Sequence, residues 1–175
     1  MGCWLSFAWQ LSRLQMPSAP HKYDTCNYLQ QYAGEWRYVR TQDTIRIFLK
    51  VLRTFKADYN STQDLLWGWH EYKRGNTIKQ SDYQNRYNNP SSVWGNMYAM
   101  TSIWLKQNSG CSSSMIPLTG SIKDYGKSVT HQLRIDMSSN GDTMYLKQWY
   151  YGTNGLGTGQ VSGMTLPQQL TLIRQ

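Results

Sequence analysis

The stretch Gly34-Glu35-Trp36-Arg37-Tyr38-Val39-Arg40-Thr41-Gln42-Asp43-Thr44-Ile45-Arg46-Ile47-Phe48-Leu49-Lys50-Val51-Leu52 decides the fold. Ile45, Ile47, Leu49 and Val51 fall on alternate positions, with Arg46, Phe48 and Lys50 between them. Successive side chains of a strand point to opposite faces, so this period of two reads as a strand with its aliphatic side on the core. Trp36 to Thr41 reads as the strand before it, with Trp36, Tyr38 and Arg40 on one face, and Gln42-Asp43 turns the chain between the two. Gly-x-Trp leading into such a meander is a common way for a small closed barrel to begin.

The pattern continues outward. Tyr28 to Ala33 reads as one helical turn that plugs a barrel end. Asp58 to Gln63 is a polar loop, and Asp64 to Lys73 a strand closed by an Arg74-Gly75-Asn76 turn, with Thr77 to Asp82 as its return partner. Trp67 and Trp69 share a face with Glu71 and Lys73, so solvent is expected on that side and Leu66, Gly68, His70 and Tyr72 point inward. Val93 to Leu105, Met115 to Lys123, Val129 to Met137, Thr143 to Tyr151 and Gln168 to Gln175 supply the remaining strands, and Asn140-Gly141 signals a tight hairpin. The connections carry too little helix signal for parallel crossovers. The expected fold is therefore all-β, an antiparallel up-and-down barrel of about eight to nine strands, because closure removes exposed edges. A two-sheet sandwich is the fallback.

A chain of 175 residues is most simply one domain, long enough to bury a real core. Residues 27–175 are assigned to a single barrel. Residues 1–26 look different, with a short apolar stretch from Cys3 to Leu11, then Arg13 and Met16-Pro17-Ser18-Ala19-Pro20. They are expected to be a removed leader or a disordered segment. A degenerate secretory signal and a misplaced start codon also fit. Met1 to Ser6 matches the short myristoylation pattern, which arises easily by chance.

The net charge of +8 is spread along the chain, with Lys73-Arg74 its longest basic run, so a dedicated nucleic-acid stripe is not expected. No apolar run reaches the eighteen or so residues of a membrane-spanning helix. Cys3, Cys26 and Cys111 contain no close metal-ligand pair, leaving either isolated thiols or a Cys26 to Cys111 disulfide, which needs an oxidising compartment.

Alternation sends His70, Tyr72, His131, Gln148 and Tyr150 inside, among aliphatic residues such as Ile47, Leu133, Ile135 and Leu146. Apolar walls with a few polar groups describe a small-molecule pocket, although eight-stranded interiors are often simply filled. Two inward histidines without an inward carboxylate or thiol do not make a metal site, and no cofactor is expected. No Gly-x-Ser-x-Gly elbow or other nucleophile context is present, so no catalytic residue is assigned. The loop Gly155-Leu156-Gly157-Thr158-Gly159-Gln160 fails the dinucleotide spacing. Outside, Arg46, Phe48, Lys50, Trp67 and Trp69 form an aromatic and basic patch suited to glycan or protein partners. Trp67 is expected to be covered and Trp69 exposed.

Tyr32-Ala33-Gly34-Glu35-Trp36, Asp64-Leu65-Leu66-Trp67-Gly68 through Tyr72, Leu118-Thr119-Gly120 and Leu166-Pro167-Gln168-Gln169-Leu170-Thr171-Leu172 resemble, in order, an uncharacterised family of small exported β-barrel proteins from Bacteroidota. The likeness runs from about Tyr28 to the end and implies fold and export, not activity. Lipocalins and avidins share the Gly-x-Trp opening, hence a lipocalin-like barrel, but their ligands do not carry over. In lipocalins that Trp packs against an Arg of the last strand, a place Arg174 takes here, so the resemblance implies a structural Trp36–Arg174 closure.

Together these readings favour a non-enzymatic exported barrel, periplasmic, extracellular or envelope-associated, holding a small apolar or amphipathic ligand inside. The alternative is an interaction module that docks glycan, protein or cell envelope through the outer patch.

Overall fold

A computed structural model describes residues 22–56, 61–87, 97–101, 111, 114–124, 129–149 and 165–175. Its elements are α1 (Tyr28–Tyr32), β1 (Gly34–Arg40), β2 (Asp43–Lys56), β3 (Ser61–Arg74), β4 (Thr77–Ser81), a 3-10 helix (Tyr83–Tyr87), β5 (Met97–Thr101), β6 (Leu118–Asp124), β7 (Val129–Met137), β8 (Thr143–Trp149) and β9 (Gln169–Arg174). The order β2-β1-β9-β8-β7-β6-β5-β3 returns on itself because β2 also pairs with β3. Every pairing between named strands is antiparallel. Eight strands thus make one curled, closed sheet, as the sequence predicts, and β4 stands outside the ring against the upper part of β3.

The β2 stripe behaves as its alternation requires. Ile45, Ile47 and Leu49 are buried in the interior with Leu66, Tyr72, Leu118, Ile122, Leu133, Ile135, Met144, Leu146, Leu170 and Leu172. Each turn has a local cause. Thr41, Gly75 and Gly141 take positive φ in the three tight hairpins after β1, β3 and β7. Such backbone is easiest for Gly and turns the strands with the right twist.

One end of the barrel is closed by α1. Leu29 and Tyr32 enter the core cluster, the Tyr32 hydroxyl donates to Ile116 O at 2.8 Å, and Trp36 Nε1 donates to Tyr32 O at 2.9 Å. Burial pushes the Tyr32 hydroxyl up to about 12, with the nearby Asp136 carboxylate adding to it. Arg174 pairs in register with Trp36 and lays its guanidinium carbon 4.4 Å from the ring centroid. Gly34 opens β1 at φ 123°, and a Cβ there would meet Arg174 Nη1 at 3.4 Å. The Gly of the Gly-x-Trp is thus required by its backbone, while a Cβ would only touch the arginine beside it.

Three expectations need correction. The domain begins before residue 27: Lys22 bridges Gln63, Asp24 accepts from Tyr28 N and Leu29 N, and Cys26 is disulfide-bonded to Cys111 with Cα atoms 5.5 Å apart. Residues 1–21 lie outside the described residues. The polar loop is shorter than expected, since Ser61 to Gln63 already pair with β2. Finally, the outer face of β3 is not open to solvent. Trp69 is 0% exposed and Trp67 5%, forming with Leu65 a second cluster against Phe48 and Leu52. The 3-10 helix packs against β2 and β3, and the Phe48 ring makes tilted contacts with both Tyr87 and Trp69. A local alternation of Trp with Glu and Lys cannot reveal an element that folds back from farther along the chain.

Candidate functional site

The strands place two polar regions, one inside the barrel and one on its wall. Inside, His70, Tyr72, His131 and Gln148 are all buried and inward-facing. Tyr150 lies outside the described residues. The four do not form one cluster of free groups. The Tyr72 hydroxyl is bonded to Asp43 Oδ1 at 2.9 Å, near the β1–β2 hairpin, and burial followed by that bond raises its pKa. His70 is held from its backbone, its N–H donating to Asp82 Oδ1 at 2.8 Å and its carbonyl accepting from Asp82 N.

His131 and Gln148 lie on neighbouring strands, near the barrel end opposite α1. There a residue the sequence reading missed joins them. Asp124 closes β6 on the inward face, in alternation with Leu118 and Ile122, and is buried. An inward carboxylate therefore does exist, contrary to expectation, and continuing the β6 alternation one residue past Lys123 would have found it. Asp124 Oδ2 accepts from Thr165 N at 2.8 Å, while Gln148 Nε2 donates to Leu166 O at 3.3 Å and Pro167 O at 2.7 Å. The two side chains fasten the incoming Thr165–Pro167 segment to the barrel end. Burial pushes the His131 imidazole below its ordinary 6.5, partly offset by the Asp124 charge. Among the described residues Gln148 Oε1 has no hydrogen-bond partner, in a side chain only 1% exposed. Such an orphan acceptor costs about 1–3 kcal/mol and is uncommon in a folded protein.

Among the described residues no group of three His, Cys, Asp or Glu side chains is arranged to hold a metal ion. No helix among them is long and apolar enough to cross a membrane.

On the wall, the predicted patch is rearranged. Arg46 and Phe48 are half-buried, Lys50 is exposed, and Trp67 and Trp69 lie beneath the surface. Their place outside is taken by the 3-10 helix, which sequence alternation had no means of adding. Arg86 sits 4.1 Å from the ring centroids of both Tyr83 and Tyr87, and Arg46 sits 4.3 Å from Tyr83. Tyr87 is 76% exposed. Beside this stack a cleft of about 440 Å³ opens over β1, β2 and β3, lined by Glu35, Arg37, Thr44, Arg46, Glu71, Lys73 and Gln175. Arg46 donates to Glu35 Oε1 through Nη2 at 2.8 Å and Nε at 3.1 Å, and Lys73 Nζ lies 3.0 Å from Glu71 Oε1. Burial works against ionisation of Glu35, but the bonds from Arg46 and Tyr83 outweigh it and hold its pKa below the usual value. Burial and the bond to Glu35 push the Tyr83 hydroxyl up to about 12.

Comparison with curated proteins and with solved structures returned no match. A family model described as a family of unknown function, DUF6705, matches residues 4–175. With nearly the whole chain matched, including the barrel, its plug and both polar regions, this protein belongs to the DUF6705 family.

Proposed function

We propose that the protein is a non-enzymatic, exported, lipocalin-like barrel that holds a small amphipathic molecule inside, at the end away from α1. The observation that carries this reading is Gln148 Oε1, an acceptor without a partner among the described residues and buried among apolar walls. A ligand hydroxyl or amine would satisfy it, while Leu133 and Leu146 offer apolar contact to the rest of the molecule. Apolar walls with a few placed polar groups are the composition that small-molecule sites share. Neutral His131, beside the same segment, adds a second polar group without the desolvation cost of a charge. Export is supported by the Cys26–Cys111 disulfide, since such bonds persist in oxidising compartments, and by the resemblance to exported barrels.

The test is native mass spectrometry of protein purified from its own host, with titration of a fluorescent polyene fatty alcohol. The expected result is a co-purifying small molecule and saturable probe binding. His70→Trp should abolish binding by filling the interior, and Gln148→Leu, which removes the acceptor, should weaken it. Absence of both a bound molecule and probe binding in the folded wild type would overturn the reading.

A further inference from the structure

The outer cleft does not depend on the interior reading, and it carries an uncompensated charge. Arg37, Arg46 and Glu71 stand in one cross-strand row on β1, β2 and β3, with Arg37 directly opposite Arg46. Like charges directly opposite on a sheet are destabilising. Arg46 is satisfied by Glu35 and by the Tyr83 ring, and Glu71 is shared between Lys73 at 3.0 Å and Arg46 at 4.0 Å. Arg37 has no hydrogen bond or ion pair among the described residues and is exposed. Among the described residues the charged side chains of the cleft thus divide into ion pairs and the unpaired Arg37 guanidinium, with Thr44 on the same lining.

We propose that this cleft binds a sugar ring bearing a single carboxylate, of the uronic acid class. A guanidinium offers two parallel N–H donors that match a carboxylate, so Arg37 takes the acid group. Thr44 and Lys73 supply further donors. Glu35 and Glu71 accept from ring hydroxyls, which a site for a bare anion would not need. The same two carboxylates disfavour a doubly charged phosphate, because like charges at close range repel. The cleft volume of about 440 Å³ falls within the range of small-ligand sites, about 300–1,000 Å³.

The experiment is titration of the full chain, followed by NMR or calorimetry at fixed ionic strength, with a glucuronate-containing disaccharide, its neutral glucose counterpart and inorganic phosphate. The acidic disaccharide should bind at least tenfold more tightly than the neutral one. Arg37→Gln should remove that preference, Arg37→Lys should keep part of it, and Arg134→Gln, on an exposed pair with Asp136, should leave it unchanged. Arg37 is exposed, so a melting curve should show that the variants fold as wild type does. The proposal is overturned if neutral and acidic sugars bind alike, if phosphate binds as tightly as the acidic disaccharide, or if Arg134→Gln weakens binding as much as Arg37→Gln. Because every variant lies on the outer wall, failure here leaves the interior reading standing, and failure of fatty-alcohol binding leaves this one standing.

Discussion

Arg174 and Trp36 are joined twice, as register partners across β9 and β1 and as a cation over a ring at 4.4 Å. The guanidinium also donates to Gly141 O at 3.0 Å, to Ala33 O at 2.9 Å and to Gln31 O. One side chain thus holds the C-terminal end of α1, the β7–β8 hairpin and the first strand together. A cation–π contact contributes about 0.5–2 kcal/mol and charged hydrogen bonds more. Arg174→Ala should cost about 3 kcal/mol in urea unfolding. Arg174→Lys should recover little of this, because a single ammonium cannot reach three carbonyls and cover the ring. Full recovery by Lys would mean that charge alone accounts for the effect.

Most of this closure was legible in sequence. Trp36 and Arg174 announce it through the Gly-x-Trp opening and an arginine in the last strand, and the Ile45–Val51 stripe fixes which side of β2 faces in. Those signals are local, and a strand's alternation is set by its own pleat. What escaped is what depends on distant segments. Trp69 is covered through packing that includes the 3-10 helix fourteen and more residues later, whereas the Cys26–Cys111 bond across 85 residues was one of two open readings. The pairing of Gln148 with the Thr165–Pro167 segment is likewise nonlocal. Asp124 is different, since its alternation was visible and only the strand end was set too early.

The disulfide ties the entry to α1 to the segment before β6, closing a loop with a sequence separation of 85. Cross-linking a long loop restricts the unfolded chain, and such bonds typically contribute about 2–4 kcal/mol. Cys26→Ser with Cys111→Ser should lower stability by that order, and reductant should do the same to the wild type. Far-UV circular dichroism at low temperature should still report the sheet, because the ring pairings do not include either cysteine.

His131 gives the stability curve a limb near neutrality. Unfolded, its imidazole takes a proton near 6.5; folded, burial holds the pKa lower. Between those two values the unfolded state binds more protons, so stability is greatest above 6.5 and falls as the pH drops through the folded value. Glu35, Asp43 and Asp64, held low by arginine partners, add a separate loss on further acidification. His131→Gln should flatten the upper limb while leaving the acid one. An unchanged slope between pH 6.5 and 5 in that variant would assign the limb elsewhere.

Trp69 is where burial reverses an expectation about mutation. As an exposed ring it would be replaceable with little effect on folding. Instead it is 0% exposed, tilted against Phe48 with ring centroids 6.3 Å apart, and packed with Leu65 and Trp67 outside the barrel wall. Truncating a buried Trp leaves a cavity that neighbours fill only partly, at about 3–5 kcal/mol. Trp69→Ala should therefore destabilise by that amount. Tyr87→Ala, removing a ring that is 76% exposed, should cost less than about 1 kcal/mol. Parallel urea titrations separate the two. Equal and small costs would show that the second cluster is not a packed layer, and that the 3-10 helix lies against the wall without sealing it.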